Sequence, residues 1–361
     1  MSTKKTDNKR YKIKINEDNS ATTANNTINQ QIKDQNLWIS DYEQFFKDKD
    51  GESYVTSTCT GNKKALFVGI NYFKTKAELN GCINDVKNVS ELVCARFGFK
   101  NCLYLTDENP DPLMKPTYNN IINGMKWLVR GAKSGDSLFF HYSGHGGTAT
   151  DAENDEIDSF DETILPVDYS YSGQIVDDVI YENLVEPLPE GCRLTAIFDS
   201  CHSGTVMDLP YTYQCDGQIE VIENDTRKNI FTQALNIVSD VVSGNSSGII
   251  DSILGMFTSG TSTSNANGVT NEETIQKRKH NAEVIQFSGC KDSQTSADVK
   301  INNISTGAMS YAIITALSQN RQFSYADLLT EIRSIMKKKG FSQIPQLSTS
   351  HPMNMNSTFI M

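Results

Sequence analysis

The sequence alternates between short apolar runs and amphipathic segments, and this alternation constrains the fold more than any other feature. Lys64–Asn71, Ser137–Tyr142 and Arg193–Phe198 are apolar runs of strand length. Between them lie segments such as Cys82–Phe97, in which apolar residues recur at helical spacing. Because buried strands that alternate with helices are typical of right-handed βαβ units, the pattern predicts an α/β fold. We expect a mostly parallel β-sheet with helices on both faces.

Further segments continue the alternation to the end of the chain. Strands are predicted at Asn101–Leu105, Glu283–Phe287 and near Gln343–Leu347. Helices are predicted at Thr117–Lys133, Tyr181–Val185, Thr306–Leu317 and Tyr325–Lys338. Because one order of strands and helices runs through the sequence, we expect a single domain.

Composition divides the 361 residues into an N-terminal segment and one interrupted domain. Residues 1–60 begin with a polar stretch that has almost no large apolar side chains, which predicts a mobile N-terminal segment. Residues 61–361 are predicted to form the domain. Within it, residues 218–281 are rich in Ser, Asn, Thr and Gly, which predicts a flexible loop between residues 61–217 and 282–361.

Charge and cysteine usage indicate the class of protein and its compartment. The net charge of −11 argues against a nucleic-acid partner, because phosphate contacts need clustered Lys and Arg. No apolar run approaches the length of about 18 residues that a membrane span needs, and the N-terminal residues lack an apolar signal core. The eight cysteines follow no disulfide-framework spacing. We therefore expect a soluble, cytoplasmic protein without a membrane span.

Two predicted strands end in glycine-containing polar segments that carry reactive side chains. The first is Ser143–Gly147 with His145, and the second is Asp199–Gly204 with Cys201. Neighbouring strands lie about 4.8 Å apart, so both side chains would meet at the carboxyl edge of the sheet if the strands are neighbours. An imidazole beside a thiol is the minimum for nucleophilic catalysis, and Gly146 could donate its amide to an oxyanion.

Two other interpretations of these residues remain open from the sequence. A lone Cys can be a small buried side chain and a lone His can lie in a turn, although their pairing at two strand ends favours catalysis. The other interpretation is a zinc site with ligands from His141, His145, Cys201 and His202. It is disfavoured because His141 lies inside a predicted strand and no CxxC pair supplies thiolates.

The segments His141–Gly146 (HYSGHG) and Asp199–Gly204 (DSCHSG) resemble the paired motifs of the metacaspases, the caspase-like cysteine peptidases of protists, fungi and plants. The resemblance extends over about Lys64–Met361 and is to type I members. It implies a caspase-like fold with one catalytic domain, in which residues 61–217 are large-subunit-like and residues 282–361 small-subunit-like. It also implies a cysteine endopeptidase with a Cys–His dyad. The first sixty residues contain no proline, so we expect the Pro/Gln-rich prodomain of many type I members to be absent.

The resemblance further implies a substrate pocket that selects Arg or Lys. Asp85 and Asp199 match the positions that line this pocket in the family, with Cys82 and Ser143 beside them. Two carboxylates would attract a basic side chain and reject an acidic one. The expected partners are therefore protein or peptide substrates with Arg or Lys before the scissile bond.

Activation by Ca²⁺ is also implied by the resemblance. The positions that match the family's calcium ligands are Asp161, Asp177, Asp178 and Asp208. Their hard carboxylate oxygens suit this ion, and the DxDxDG spacing of an EF-hand is absent.

Self-processing is expected within the polar loop, because exposed flexible loops are where proteases cut. The candidate cleavage sites, which suit a basic-selective pocket, are Arg227, Lys228, Lys277, Arg278 and Lys279.

The family resemblance implies a monomer, and two other functions remain as alternatives. One is a catalytically silent caspase-like scaffold or protein-quality-control partner, which the presence of both His145 and Cys201 disfavours. The other is a legumain-like or paracaspase-like peptidase, which Asp208 and the pair Asp177-Asp178 disfavour.

Overall fold

The computed structural model describes most of the predicted domain and a short N-terminal piece. The described residues are 10–13, 54–150, 160–200, 206–215, 219–223, 281–290, 299–301, 304–341 and 343–361. The helices within these ranges include none that is long and apolar enough to cross a membrane.

Strands and helices are numbered in chain order. The strands are β1 (Arg10–Ile13), β2 (Lys63–Gly69), β3 (Asn101–Thr106), β4 (Ser137–Ser143), β5 (Gly146–Thr150), β6 (Phe160–Ile164), β7 (Ile175–Val176), β8 (Arg193–Asp199), β9 (Tyr211–Cys215), β10 (Ile219–Glu223), β11 (Glu283–Cys290), β12 (Val299–Ile301), β13 (Ile304–Thr306) and β14 (Ile344–Thr349). The α-helices are α1 (Cys82–Phe97), α2 (Tyr118–Val129), α3 (Tyr169–Ser172), α4 (Asp177–Leu184), α5 (Ala308–Leu317) and α6 (Tyr325–Lys338), and a 3₁₀ helix spans Pro112–Met114.

One large sheet organises the described parts of the chain, with nine strands in the order β1-β10-β9-β14-β11-β8-β4-β2-β3. Neighbouring strands from β11 to β3 are parallel. From β1 to β11 neighbouring strands are antiparallel. The parallel part brings the carboxyl ends of β2, β4 and β8 to one edge. The predicted α/β fold, with one domain built on a mostly parallel sheet, is confirmed.

Helices cover both faces of this sheet because successive strand side chains point to opposite sides. In β2, Ala65 and Phe67 belong to the core that packs under α1, α5 and α6. Leu66 and Val68, which alternate with them, belong to the core under α2 and α4. The continuous apolar character of the strand thus follows from burial on both sides.

Three helices differ in their bounds from the prediction. The helix predicted at Thr306–Leu317 begins at Ala308, because Thr306 is the last residue of β13. The helix predicted at Thr117–Lys133 begins at Tyr118, with the Thr117 hydroxyl accepting a hydrogen bond from the Asn120 amide at 3.3 Å. It ends at Val129, just before Gly131 adopts a left-handed φ of 71°. The helix predicted at Tyr181–Val185 already begins at Asp177, where carboxylates in the first turn favour helix initiation.

The structure adds antiparallel strands that the local sequence pattern did not indicate. β5, β6 and β7 form a small separate sheet, and β12 pairs with β13. β10 lies within the predicted flexible loop of residues 218–281, and β1 lies within the predicted mobile residues 1–60. These two strands pair with each other at the edge of the large sheet. Pairing between residues so far apart in sequence leaves no local periodicity to detect.

A buried ion pair joins strands at the amino edge of the sheet. Arg193 and Glu283 lie opposite each other in β8 and β11, with Nη2 and Oε1 2.6 Å apart. Glu283 Oε2 also accepts a hydrogen bond from the Ser57 amide at 3.0 Å. Arg193 Nη1 donates to the Ile360 carbonyl at 2.9 Å. The pair therefore fastens residues from both ends of the domain to the sheet, far from its carboxyl edge.

Candidate active site

At the carboxyl edge of the parallel sheet lie the ends of the two strands that the predicted reactive segments follow. β4 and β8 are adjacent and parallel, and Ser143 lies opposite Asp199 in register. His145 follows β4 by two residues. Cys201 follows β8 by two residues, but it lies outside the described residues. The condition that the two strands are neighbours is therefore met, whereas the contact between Cys201 and His145 stays a prediction.

The ring of His145 is held by a backbone carbonyl. Its Nε2 lies 2.8 Å from the carbonyl oxygen of Ala77. Because a carbonyl oxygen can only accept a hydrogen bond, this contact assigns the proton to Nε2 and leaves Nδ1 with a free lone pair. In this tautomer Nδ1 is the ring atom that could accept a proton. Gly146, the candidate oxyanion donor, follows directly as the first residue of β5, opposite Ile164.

Asp85 lies at the same edge and has no solvent exposure. Its carboxylate accepts hydrogen bonds from the Ser143 hydroxyl at 2.8 Å and from the Gly307 amide at 3.0 Å. The Thr306 hydroxyl donates a third bond at 2.5 Å. Cys82, also a predicted pocket residue, is buried one helical turn before Asp85 in α1. The structure thus brings Asp85 and Ser143 into direct contact.

Asp199 lies at the amino end of α5, next to Asp85. It accepts hydrogen bonds from the Ser310 amide at 2.7 Å and from the Met309 amide at 3.4 Å. These amides belong to the first turn of the helix, where free N–H groups and the helix dipole stabilise negative charge. A side chain at Gly307 would overlap the Asp199 carboxylate, so the close approach requires glycine there.

The neighbouring carboxylate affects the ionisation of Asp85. Burial, and after it the negative charge of Asp199, together raise the pKa of Asp85 from 3.8 to about 7. Hydrogen bonds from Thr306, Ser143 and Gly307 oppose this rise by stabilising the charged form. The buried carboxyl of Asp85 therefore titrates near neutral pH, beside the carboxylate of Asp199.

A second group of carboxylates lies beside the small sheet. Asp177, Asp178 and Asp208 each place an oxygen within 4.8 Å of the others. Asp177 and Asp208 are buried, and Asp177 accepts a hydrogen bond from the Glu162 amide at 2.9 Å. Asp208 has a left-handed φ of 50°, a conformation that costs energy for a residue with a side chain.

The predicted ligand Asp161 belongs to the strand that precedes this group. It lies in β6, which pairs with β7 directly before Asp177. Its side chain lies outside the described residues. Three carboxylates gathered this closely repel one another, and hard oxygens are the donors that Ca²⁺ takes. The donor set of the described residues therefore fits a hard divalent cation.

The structure argues against the zinc interpretation. His141 is completely buried within β4, where burial lowers its pKa to about 3. Its Nε2 lies 3.0 Å from the Ser310 hydroxyl, beneath α5. The Nε2 of His145 contacts the Ala77 carbonyl instead. The Nε2 atoms of the two imidazoles thus contact different partners and do not point at a common metal position.

Cys201 and His202 lie outside the described residues, as do the predicted cleavage sites Arg227, Lys228, Lys277, Arg278 and Lys279.

Several residues that build the site escaped sequence analysis. Ala77 contributes through its backbone carbonyl, which contacts the ring of His145. Thr306 and Gly307 are hydrogen-bonded to Asp85 although they lie far from it in the sequence, with a separation of 222 positions for Gly307. Backbone groups carry no residue-type signal. The Thr-Gly pair just before an apolar helix was visible as a helix start, but nothing local connected it to Asp85.

Comparisons with known proteins show what the chain is similar to. A family model described as "Metacaspase, peptidase C14 domain" matches residues 63–210. "Metacaspase-1" of Schizosaccharomyces pombe is 46% identical over 310 residues, which cover 85% of this chain and 72% of that protein. "Metacaspase-1" of Scheffersomyces stipitis is 46% identical over 321 residues, covering 88% and 78%. A crystal structure of a protein from Geobacter sulfurreducens has a similar fold, with a TM-score of 0.50, 22% identity, and coverage of 81% of this chain and 95% of that one.

Proposed function

Since the chain belongs to the metacaspase family of cysteine peptidases, we propose that it cleaves peptide bonds after Arg or Lys with Cys201 as nucleophile and His145 as base. The supporting observation is the pairing of β4 with β8. This pairing directs the segments that carry both residues to the edge of the sheet where Asp85 and Asp199 lie.

The proposed reaction uses the free Nδ1 of His145. Nδ1 takes the proton of the Cys201 thiol, and the thiolate attacks the carbonyl carbon of the scissile bond. The oxyanion that forms would accept a hydrogen bond from the Gly146 amide. The imidazolium then gives its proton to the leaving amine as the C–N bond breaks. Water, deprotonated by the same Nδ1, hydrolyses the thioester and returns the thiol.

Specificity for a basic side chain would come from a recess that Asp85 and Asp199 line. Asp199 is half-buried, whereas Asp85 is fully buried. A guanidinium or ammonium entering the recess would meet Asp199 first and gain from the charge of Asp85. An acidic side chain would be desolvated beside like charges, which costs several kcal/mol.

We extend the proposal to a calcium requirement at Asp177, Asp178 and Asp208, with Asp161 as a fourth ligand. Bound Ca²⁺ would neutralise the mutual repulsion of these carboxylates. Asp208 is seven positions after Cys201 in the sequence. A carboxylate group held together in this way would fix the chain on which the nucleophile lies, so the ion would act at a distance from the scissile bond.

Cleavage of the chain by itself is part of the same proposal. The expected sites are Arg227 or Lys228 at one end of the polar loop and Lys277–Lys279 at the other. Their basic side chains match the recess.

A peptide panel tests the proposed function. The purified full chain is incubated with fluorogenic peptides ending in Arg, Lys or Asp, with calcium and with chelator. We expect cleavage of the Arg and Lys peptides in calcium and none of the Asp peptide. Cys201→Ala and His145→Ala should each reduce cleavage to background while the fold remains intact. Cys94→Ala, on the half-buried side of α1, is the control. A Cys201→Ala protein with more than a tenth of wild-type turnover would contradict the assignment.

A further inference from the structure

Two buried tyrosines meet beneath the backbone of His145. The side chains of Tyr72 and Tyr142 are 1% and 0% exposed, and their Oη atoms lie 3.2 Å apart. Tyr72 Oη accepts a hydrogen bond from the His145 amide at 2.9 Å and donates to the Leu165 carbonyl at 2.7 Å. Tyr142 Oη donates to the His145 carbonyl at 2.7 Å and accepts from the Leu165 amide at 3.2 Å.

The four contacts form a crossed arrangement that needs both hydroxyl protons. A phenol has one proton, and each tyrosine donates it to a different carbonyl at the shorter distance. Burial raises the pKa of Tyr72 and of Tyr142 well above the usual value of 10, so both hydroxyls keep their protons at neutral pH. Each hydroxyl thus binds one amide and one carbonyl, and together they reinforce the direct hydrogen bond from the Leu165 amide to the His145 carbonyl at 3.1 Å.

The local backbone is built to allow this arrangement. Tyr72 has a left-handed φ of 52°, which is unusual for a bulky aromatic residue and persists where the surroundings hold it. Its carbonyl accepts hydrogen bonds from the Thr75 hydroxyl at 2.7 Å and the Thr75 amide at 3.2 Å. A side chain at Gly144 would place its Cβ 2.6 Å from Tyr142 Oη and 3.0 Å from Tyr72 Oη. Glycine at position 144 therefore leaves the space in which the hydroxyls reach His145.

We propose that Tyr72 and Tyr142, together called the tyrosine clamp, are positioning residues that hold the base of the peptidase in place. The proposal rests on the proposed function, in which His145 is that base. The Ala77 carbonyl fixes the ring at Nε2, and the Tyr72 ring lies against it with centroids 4.7 Å apart. The tyrosine clamp fixes the backbone from which the ring extends. Nδ1 is then the ring nitrogen left for the thiol.

The clamp also joins His145 to the small sheet. Leu165 follows β6 directly, and β6 pairs with β5 on one side and β7 on the other. The position of the base therefore depends on a segment outside the large sheet. A purely packing role for the two tyrosines would not require hydroxyl contacts to both segments.

Removing single hydroxyl groups tests the clamp. In the full chain, Tyr72→Phe and Tyr142→Phe should each lower kcat on an Arg peptide by about 10- to 100-fold, with KM within about two-fold, because small displacements of a reacting group have large effects on rate. Tyr325→Phe is the matched control, since Tyr325 is equally buried but lies by Arg193 and Glu283 at the opposite edge of the sheet. It should keep wild-type kcat.

A second measurement does not depend on turnover. Alkylation of Cys201 by iodoacetamide is followed by mass spectrometry at pH 6 and pH 9. A thiolate paired with an imidazolium reacts at pH 6, whereas an isolated thiol reacts mainly at high pH. We expect wild type and Tyr325→Phe to react at pH 6, and both clamp variants to react about 10-fold more slowly there but equally at pH 9.

The outcomes separate the clamp from the proposed function. Folded clamp variants with wild-type kcat and wild-type alkylation at pH 6 would overturn the clamp. If one Phe variant does not fold, the other decides, and Gly144→Ala, which displaces both hydroxyls without removing them, should show the same loss. A Gly144→Ala protein with wild-type kcat would also overturn it. A wild-type chain that cuts no peptide and is alkylated only at pH 9 would instead refute the Cys–His pair.

Discussion

Replacing Asp85 by Asn should stabilise the fold at pH 8 while it removes cleavage after Arg. Asp85 is fully buried, and its pKa rises from 3.8 to about 7, mainly through burial and then through the charge of Asp199. A carboxyl whose pKa is higher in the folded chain binds its proton more tightly there. Its stabilising contribution is therefore full below about pH 4 and is lost as the pH rises through 7.

The size of the effect follows from this shift. A rise of roughly three pKa units corresponds to about 4 kcal/mol of unfolding free energy at pH 8, since one unit is 1.36 kcal/mol. Asn keeps one carbonyl oxygen as acceptor but loses the second, which weakens the bonds from Gly307 or Ser143 by about 1–2 kcal/mol. We expect a net stabilisation of about 2 kcal/mol at pH 8.

Urea unfolding at pH 8 and pH 5 measures the difference. The variant should be more stable than wild type at pH 8, and the difference should vanish or reverse at pH 5, where wild-type Asp85 is already protonated. The kcat/KM for an Arg peptide should fall by about 100-fold, as expected for loss of a buried charge partner. Asp111→Asn, at an exposed residue that caps the 3₁₀ helix, is the control. A variant less stable than wild type at pH 8, or a difference independent of pH, would refute the reasoning.

Three further predictions follow from the same structure. Glu283→Gln should lower the unfolding free energy by about 3–5 kcal/mol in urea titrations, because it leaves Arg193 buried without its counter-charge, while the specific activity of the folded protein stays the same. Replacing Asp177 and Asp178 together by Asn should raise the calcium concentration for half-maximal activity or abolish activity, with Cys201 still alkylated. Unchanged calcium dependence would place the ion elsewhere. Incubation with calcium should cut the chain within the polar loop, and an intact mass after prolonged peptide cleavage would argue against self-processing.

Elements with strong local signals were predictable from the sequence. The bounds of α1 agree with the prediction, because apolar periodicity is followed by Gly98, which adopts a left-handed φ of 77°. The bounds of α6 agree as well, since the Ser324 hydroxyl accepts from the Asp327 amide and marks the start of the helix. β10 and the small sheet were not predicted. Their residues mix polar and apolar types, and their partners lie far away in the chain, so only the folded structure reveals them.

In the candidate site, too, only residues with a local sequence signal could be predicted. His145 could be found because a glycine-containing segment follows an apolar strand, and parallel strands deliver such segments to one edge. Two of the hydrogen-bond donors to Asp85, the Thr306 hydroxyl and the Gly307 amide, could not be found, because they come from β13 and the start of α5. Tyr142 stands in the recognised motif beside His145, yet its hydroxyl role depends on Tyr72, which reaches it only through a left-handed backbone turn.

The strand order has a consequence for any molecule that has been cut in the polar loop. β11 and β14 follow the loop, and in the sheet they lie between β8 and β9, which both precede it. The later piece is therefore enclosed on both sides by the earlier one, and leaving would break two rows of backbone hydrogen bonds at once. The two fragments of a cut molecule should therefore stay associated and should not dissociate. When isotopically heavy and light cut proteins are mixed, their fragments should not be exchanged. No molecule should then combine a heavy fragment with a light one.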